Sequence, residues 1–254
     1  MDPVKVTTER GVMTATLADV DNRNALGLAL IGGLRDALAA ANADPAVRAL
    51  VVTNEGSTFC AGANLKERSQ ASMKASGSGG FETLLHEIQT SATPVVGRIA
   101  GHVVGGGNGL AAVLDISIAA EDVKFGFTEV RLGVVPAIIS VVCLPKMRPG
   151  EAMEAFLRGH RFPASRAAEL GLINRAVPGD QLDAAVAEMT ARIIAKSPLT
   201  LSIGKEAFYR QVEMELANAY DFASETMTRN MLARDAAEGI DAFIEKRKPV
   251  WRSE

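Results

Sequence analysis

Cysteine, tryptophan and tyrosine are scarce in this chain, with 2, 1 and 2 residues among 254. Cys60 and Cys143 sit in apolar surroundings without CxxC or other metal-type spacing, so neither a disulfide framework nor a metal site is expected. A small buried thiol is the ordinary role of such residues, and a reducing cytoplasm is the expected compartment. An excess of positive charge is also missing: 27 Lys and Arg against 30 Asp and Glu leave a net charge of −3. Nothing in that balance supplies the basic field that nucleic acid or an anionic membrane would need. No apolar run reaches the roughly 18 residues of a membrane span. The N-terminal "MDPVKVTTER" alternates polar and apolar residues and lacks the design of a signal peptide.

Glycine is abundant, and it is concentrated. "GHVVGGGNGL", residues 101–110, follows an apolar, strand-like run at 95–104 and leads into a helix-like run at 110–114. Glycine admits positive φ and close approach of backbone to a ligand, at a cost in chain entropy. Two nucleotide loops fail to match. A phosphate-binding Walker loop needs Lys followed by Ser or Thr, and a dinucleotide fingerprint needs a third glycine where Leu110 stands. A tight structural corner and a backbone-lined site both remain open from this stretch alone.

Length and composition suit one large soluble domain, or a domain with an appendage: 48% of residues are hydrophobic and 22% charged. Short β-rich runs at 10–17, 48–53, 94–99 and 115–119 each lead through a turn into an Ala- or Leu-rich helical stretch, so the fold class is α/β. Extra short strands such as "KFGF" at 124–127 favour a coiled stack of ββα turns over a regular barrel. The stretch "SQASMKASGSGG" at 69–80 is nearly free of apolar side chains and reads as a mobile loop or lid. From Phe208, apolar residues recur through Val212, Leu216, Tyr220, Ala223, Met227 and Met231 as one stripe on a long helix. A second helix follows in "RDAAEGIDAFIEKRKP", with Ile240, Phe243 and Ile244 on one face. Residues 1–196 are read as the core and 197–254 as a C-terminal helical oligomerisation region whose stripe is expected to meet another subunit.

Five segments stand in an order and spacing similar to the crotonase family of enoyl-CoA hydratases and isomerases: "NRNAL" at 22–26, "FCAGANLKE" at 59–67, "GHVVGGGNGLAAVLDISIAA" at 101–120, "KFGFTEVRLGVVP" at 124–136 and "AFIEKRKP" at 242–249. The resemblance runs from about residue 4 to 249 and implies a crotonase-like ββα spiral. It also implies that the amides of Ala63 and Gly106 form an oxyanion hole for an acyl-CoA thioester. Such a site is what the chemistry requires, because a thioester α-proton is too weakly acidic for a carboxylate unless the enolate oxygen is stabilised as charge develops.

The same resemblance matches Glu129 to one of the two catalytic glutamates of family hydratases. Gly109 stands where the other would be. Two carboxylates suit hydration, since one activates water while the other handles the α-proton; a lone glutamate resembles the family's enoyl-CoA isomerases. Water held by Glu129 with Asn108 or His102 would keep hydration open, and His86 and His160 are weaker candidates. Where many family hydratases carry a glycine-rich helix start, "VVPAIISVV" at 134–142 offers Ala137, Ile138 and Ile139, a more apolar pocket wall. Substrate contacts are expected from Arg23, Ala61, Asn64, Leu65, Lys66, Gly105, Asn108, Gly109 and Pro136. Phe243 and Lys246 match residues that reach a neighbouring subunit's CoA. No cofactor is expected beyond coenzyme A as part of the substrate, and a homotrimer or dimer of trimers is the expected assembly. The alternatives are an isomerase only, a hydrolase or decarboxylase of the same fold, and a silent acyl-CoA-binding protein.

Overall fold

The structure, a computed structural model, describes residues 2–67 and 80–253. The Ser/Gly-rich stretch read as a lid therefore lies outside the described residues, apart from Gly80.

Ten strands divide between two sheets. Strands β1 (Val4–Glu9) and β2 (Val12–Leu17) form an antiparallel hairpin. After helix α1 (Leu28–Ala43), β3 (Ala49–Asn54) pairs parallel with β2, and the chain then crosses to a second sheet as β4 (Thr58–Cys60). Helix α2 (Phe81–Thr90) returns it to the first sheet as β5 (Val95–Ile99), and it crosses again as β6 (His102–Val104) into helix α3 (Gly106–Val113). β7 (Ile116–Ala120) and β8 (Lys124–Gly126) repeat the crossing a third time. Helices α4 (Ala137–Cys143) and α5 (Pro149–Arg158), strand β9 (Phe162–Pro163), helix α6 (Ala164–Glu169) and strand β10 (Arg175–Val177) follow.

The first sheet is ordered β1-β2-β3-β5-β7-β10 and the second β4-β6-β8-β9. Each turn of the spiral thus gives one strand to each sheet, which is the ββα arrangement expected. β3 is buried at all six positions, as a parallel strand covered on both faces must be. Leu50, Ile99, Leu110, Leu114 and Ile118 fill the space between sheet and helices.

The sequence reads 95–104 as one strand; it is two, in different sheets. The break falls at Ala100 and Gly101, where Ala100 N–H donates to Asn54 Oδ1 at 3.1 Å. A Cβ on Gly101 would lie 2.6 Å from the Phe59 amide nitrogen, so the neighbouring crossover passes too close for a side chain.

Helix α7 (Leu182–Ile194) follows, and the C-terminal region comprises α8 (Pro198–Gln211), α9 (Leu216–Met231) and α10 (Arg234–Ile244). The long helix read from Phe208 to Met231 is interrupted at 212–215, where Glu215 takes an extended backbone (φ −62°, ψ 142°). The interruption spans about one helical turn, so the apolar spacing passes through it undisturbed. Among the described residues no helix is long and apolar enough to cross a membrane.

Two buried polar networks tie these helices down. Lys205 of α8, with only 8% of its side chain exposed, donates to Asp115 Oδ2 at 2.7 Å, and the same oxygen accepts from Val95 N–H at 2.7 Å. Asp235, 1% exposed at the start of α10, accepts from Ser197 Oγ at 2.6 Å and from the amides of Arg252 and Ser253 at 2.8 and 3.1 Å. The tail is thereby folded back, and Trp251 Nε1 donates to Ala195 O at 2.8 Å. Asp235→Ala leaves those donors without their acceptor, at a cost of about 3 kcal/mol. A fall in melting temperature of roughly 6–12 °C is expected for a chain of this size; an unchanged melt shows that the network carries no stability.

Candidate active site

The glycine-rich turn leaves β6 with Gly105 at φ 55°, ψ −127°, a backbone open in practice only to glycine. Gly105 N–H donates to Gly126 O at 2.9 Å, and Asn108 Nδ2 donates to both Gly105 O and Gly126 O at 2.9 Å. The turn is thus locked to β8 from beneath. Gly106 becomes the first residue of α3, and its N–H is one of those a helix leaves without an internal partner.

The second segment, 61–67, runs beside it. Leu26 and Ala63 form an isolated parallel bridge, with Leu26 N–H donating to Gly62 O at 2.7 Å and Asn64 N–H to Leu26 O at 3.2 Å. In that register Ala63 N–H points away from Leu26, and it donates to no described residue. Gly62 adopts φ 85°, and a Cβ there would lie 2.9 Å from Gly106 N. From Gly106, the corresponding point is 3.6 Å from Ala63 N. Two free amides, from successive turns of the spiral, therefore border one corner.

That corner opens into a cavity of about 360 Å³ lined by Ala61, Gly62, Ala63, Leu65, Gly105, Gly106, Glu129 and Pro136, with Leu132, Val134, Val135, Ala137, Ile138 and Ile139 as its apolar wall. Glu129 starts a short 3₁₀ turn, Glu129–Leu132. Its Oε1 lies 3.6 Å from where a Cβ on Gly105 would be, and its Oε2 is buried without a hydrogen-bond partner. Burial pushes the Glu129 carboxyl above the ordinary carboxylate range, only partly offset by its own backbone amide. Burial therefore favours its protonated form more than in an exposed carboxylate, in a cavity that also holds the two bare donors.

The remaining sequence candidates divide. Asn64 turns its side chain away from the cavity, to Glu67 Oε1 at 2.8 Å and Lys66 N–H at 3.1 Å. Asn108 is fully buried and holds the turn through Nδ2; it is not among the cavity's lining residues, and its Oδ1 is buried without a partner. Gly109 is also covered, because a Cβ there would meet Ile139 Cγ2 at 2.3 Å and Cβ at 2.7 Å. The residue is bare to admit Ile139, and it does not line the cavity. Lys66 Nζ donates to Asn22 Oδ1 at 2.9 Å, which brings it next to the exposed Arg23 on one side of the site. Phe243 and Lys246 lie on the end of α10, exposed, and line no part of the cavity within one chain.

His102 Nδ1 accepts from Lys124 N–H at 3.2 Å within the second sheet, and the Cys60 thiol is pushed up to about 12 by burial, so neither is placed for catalysis. Leu26, Phe81 and Thr128 complete the lining and are not among the sequence candidates; single residues from separate turns carry no local signal. A cleft of about 430 Å³ between α1 and α2 offers no comparable chemistry. Its Arg35 is paired with Glu87, and its Asn42 with Ser91 and Thr93. Among the described residues no group of His, Cys, Asp or Glu could hold a metal ion.

The family described as enoyl-CoA hydratase/isomerase matches residues 7–254. A Xenopus laevis protein named enoyl-CoA hydratase domain-containing protein 3, mitochondrial, is 31% identical over 246 residues, covering 96% of this chain and 84% of that protein. Among solved structures, an enoyl-CoA hydratase of Mycobacterium smegmatis has 33% identity and a TM-score of 0.93, with 98% of each chain covered. The human enoyl coenzyme A hydratase domain-containing protein 3 has 27% identity and a TM-score of 0.94, covering 98% of this chain and 100% of that one. The structural likeness extends through the same length as the sequence match, and the chain belongs to the enoyl-CoA hydratase/isomerase family, with the crotonase fold.

Proposed function

We propose that the Ala63 and Gly106 amides bind the thioester oxygen of an acyl-CoA and stabilise it as an enolate, while Glu129 carries the proton. The observation that supports this most directly is the unpartnered Glu129 carboxylate facing two unpartnered amides in one apolar cavity. Glu129 would take a proton from carbon, the negative charge would pass to the thioester oxygen, and the proton would return to another carbon of the enolate. Migration of a double bond in an enoyl-CoA is the reaction such a site supports best. Glu129 is the only carboxylate among the cavity's described lining residues, and Ile139 fills the space beside Gly109, so no second acid stands ready to activate water.

Arg23 and Lys66 would meet the CoA phosphates, with coenzyme A serving only as part of the substrate; the exposure of both and their proximity through Asn22 support this. Phe243 and Lys246 would meet a neighbouring subunit's CoA. The exposed stripe of α9, with Leu216 at 73% and Tyr220 at 74%, supports a homotrimer or dimer of trimers. The buried thiols agree with a reducing compartment, and the cytoplasm is the reading retained here.

Assayed with 2-enoyl- and 3-enoyl-CoAs, Glu129→Gln is expected to lose about 10²–10⁴-fold in turnover. Its melting temperature at neutral pH should hold or rise, because a raised carboxyl pKa makes the ionised side chain increasingly unfavourable to folding as pH rises. For the wild type, kcat/KM should fall as pH drops through an apparent pKa above the ordinary carboxylate value. An acid limb at the ordinary value, or full turnover in the variant, removes Glu129 from the reaction.

Gly106→Pro deletes one donor at a helix position that tolerates proline, and kcat should fall about 10²–10³-fold with CoA binding kept. Retained activity in the folded variant overturns the oxyanion assignment. Tyr220→Asp combined with Met227→Asp should lower the mass measured by light scattering to that of one chain; an unchanged mass places the interface elsewhere.

A further inference from the structure

The two amides are held by different means. Gly106 is fixed by its helix and by the bonds of Gly105 and Asn108 to β8. Ala63 belongs to a loop, and the bridge to Leu26 fixes its neighbours rather than itself.

What anchors the loop lies outside the cavity. Helix α1 begins after Gly27, which provides no side-chain cap. The missing cap comes from Glu67, 39 residues on, whose Oε2 accepts from Leu28 N–H at 3.0 Å. Its Oε1 accepts from Asn64 Nδ2 at 2.8 Å. One carboxylate therefore spans the start of α1 and the residue after Ala63, and a negative charge suits a helix N-terminus. Gly27 is fitted to this arrangement. Its backbone, at φ −100°, is open to any residue, yet a Cβ would lie 2.3 Å from Glu67 Oε1 and 3.0 Å from Asn64 Nδ2.

We propose that Glu67 is a positioning residue, clamping the 61–67 loop to α1 so that Ala63 N–H stays aimed at the thioester oxygen. This rests on the oxyanion reading above. Leu26, the bridge partner, is two residues from Leu28, the capped residue, so the bridge and the carboxylate grip the same short piece of chain. Displacing the loop would misaim the amide, and because Lys66 lies on the same loop, CoA affinity would weaken with it, though by less than kcat.

The test is a double-mutant cycle on the full-length protein, measuring kcat, KM and the affinity for CoA. Glu67→Ala should lower kcat about 10- to 100-fold, the scale of a misplacement near 1 Å, with a clearly smaller loss of CoA affinity through Lys66 on the same loop. Gly27→Ala should give a similar loss by pushing the carboxylate off its partners. The pair together should lose no more than either alone, because the second change removes nothing further. Glu67→Gln, which keeps an acceptor for Leu28, should fall between and serves if the alanine variant does not fold. Wild-type kcat in Glu67→Ala or Glu67→Gln, an equal loss in kcat and CoA affinity, or additive effects overturn the clamp. The two readings separate on Gly106→Pro: if that variant is inactive while Glu67→Ala is fully active, only the clamp fails, and if it is active, the oxyanion hole fails.

Discussion

Two backbone segments from successive turns of the spiral meet with no side chain between them, and the site depends on that contact. β4 and β6 pair in parallel, so the loops leaving their C-terminal ends emerge side by side. What closes the remaining gap is the absence of atoms at Gly62 and Gly106. A Cβ on Gly62 would press on Gly106 N at 2.9 Å, and its φ of 85° disfavours one independently. The architecture brings the segments near, and the missing side chains let two amides share a corner that a single oxygen could occupy.

The carboxylates that tie down the C-terminal helices are treated differently. Asp115, half-buried, and Asp235, buried, have their oxygens satisfied by Lys205, Ser197 and backbone amides. In the cavity, two donors and one carboxylate oxygen are left open within an apolar surround. Each omission costs stability, since a buried polar group without a partner has lost water and gained nothing. The low dielectric that makes the omission costly also strengthens any charge interaction made there. The well-satisfied networks consolidate the fold, and in the cavity the open donors and the Glu129 oxygen stand together around a space that a ligand can enter.

The spiral, the two amides and Glu129 were legible because each is written in a short run of sequence. Strand and turn signals mark most strands of the first sheet, the glycine pattern marks the bare backbone, and the roles of Ala63, Gly106 and Glu129 are what the family resemblance of those runs implies. Other features lay beyond local reading. The split of 95–104 into two strands comes from Phe59 passing against Gly101, a contact between distant turns. The break at 212–215 leaves the apolar period intact, so periodicity passed over it. Asn108 looked like a polar group beside a substrate, but its side chain points under the turn, which residue type alone does not reveal. Phe81 and Thr128 reach the cavity only through the spiral. What sequence conveyed was the backbone chemistry; what it withheld was which side of each element faces the opening.

The seating of Ile139 on Gly109 also bears on how such a site could change over evolutionary time. With Ile139 Cγ2 only 2.3 Å from the point where a Cβ would begin, a lineage gaining a carboxylate at 109 would first need a smaller residue at 139. Reversing the order would pass through a variant with two side chains competing for one space. The first step, taken alone, leaves a void in the wall beside Glu129 and brings no new acid. Descendants moving between one-carboxylate and two-carboxylate chemistry are therefore channelled through a particular order of substitutions, with an intermediate that has nothing catalytic to recommend it. A side chain at 109 and an isoleucine at 139 compete for one space.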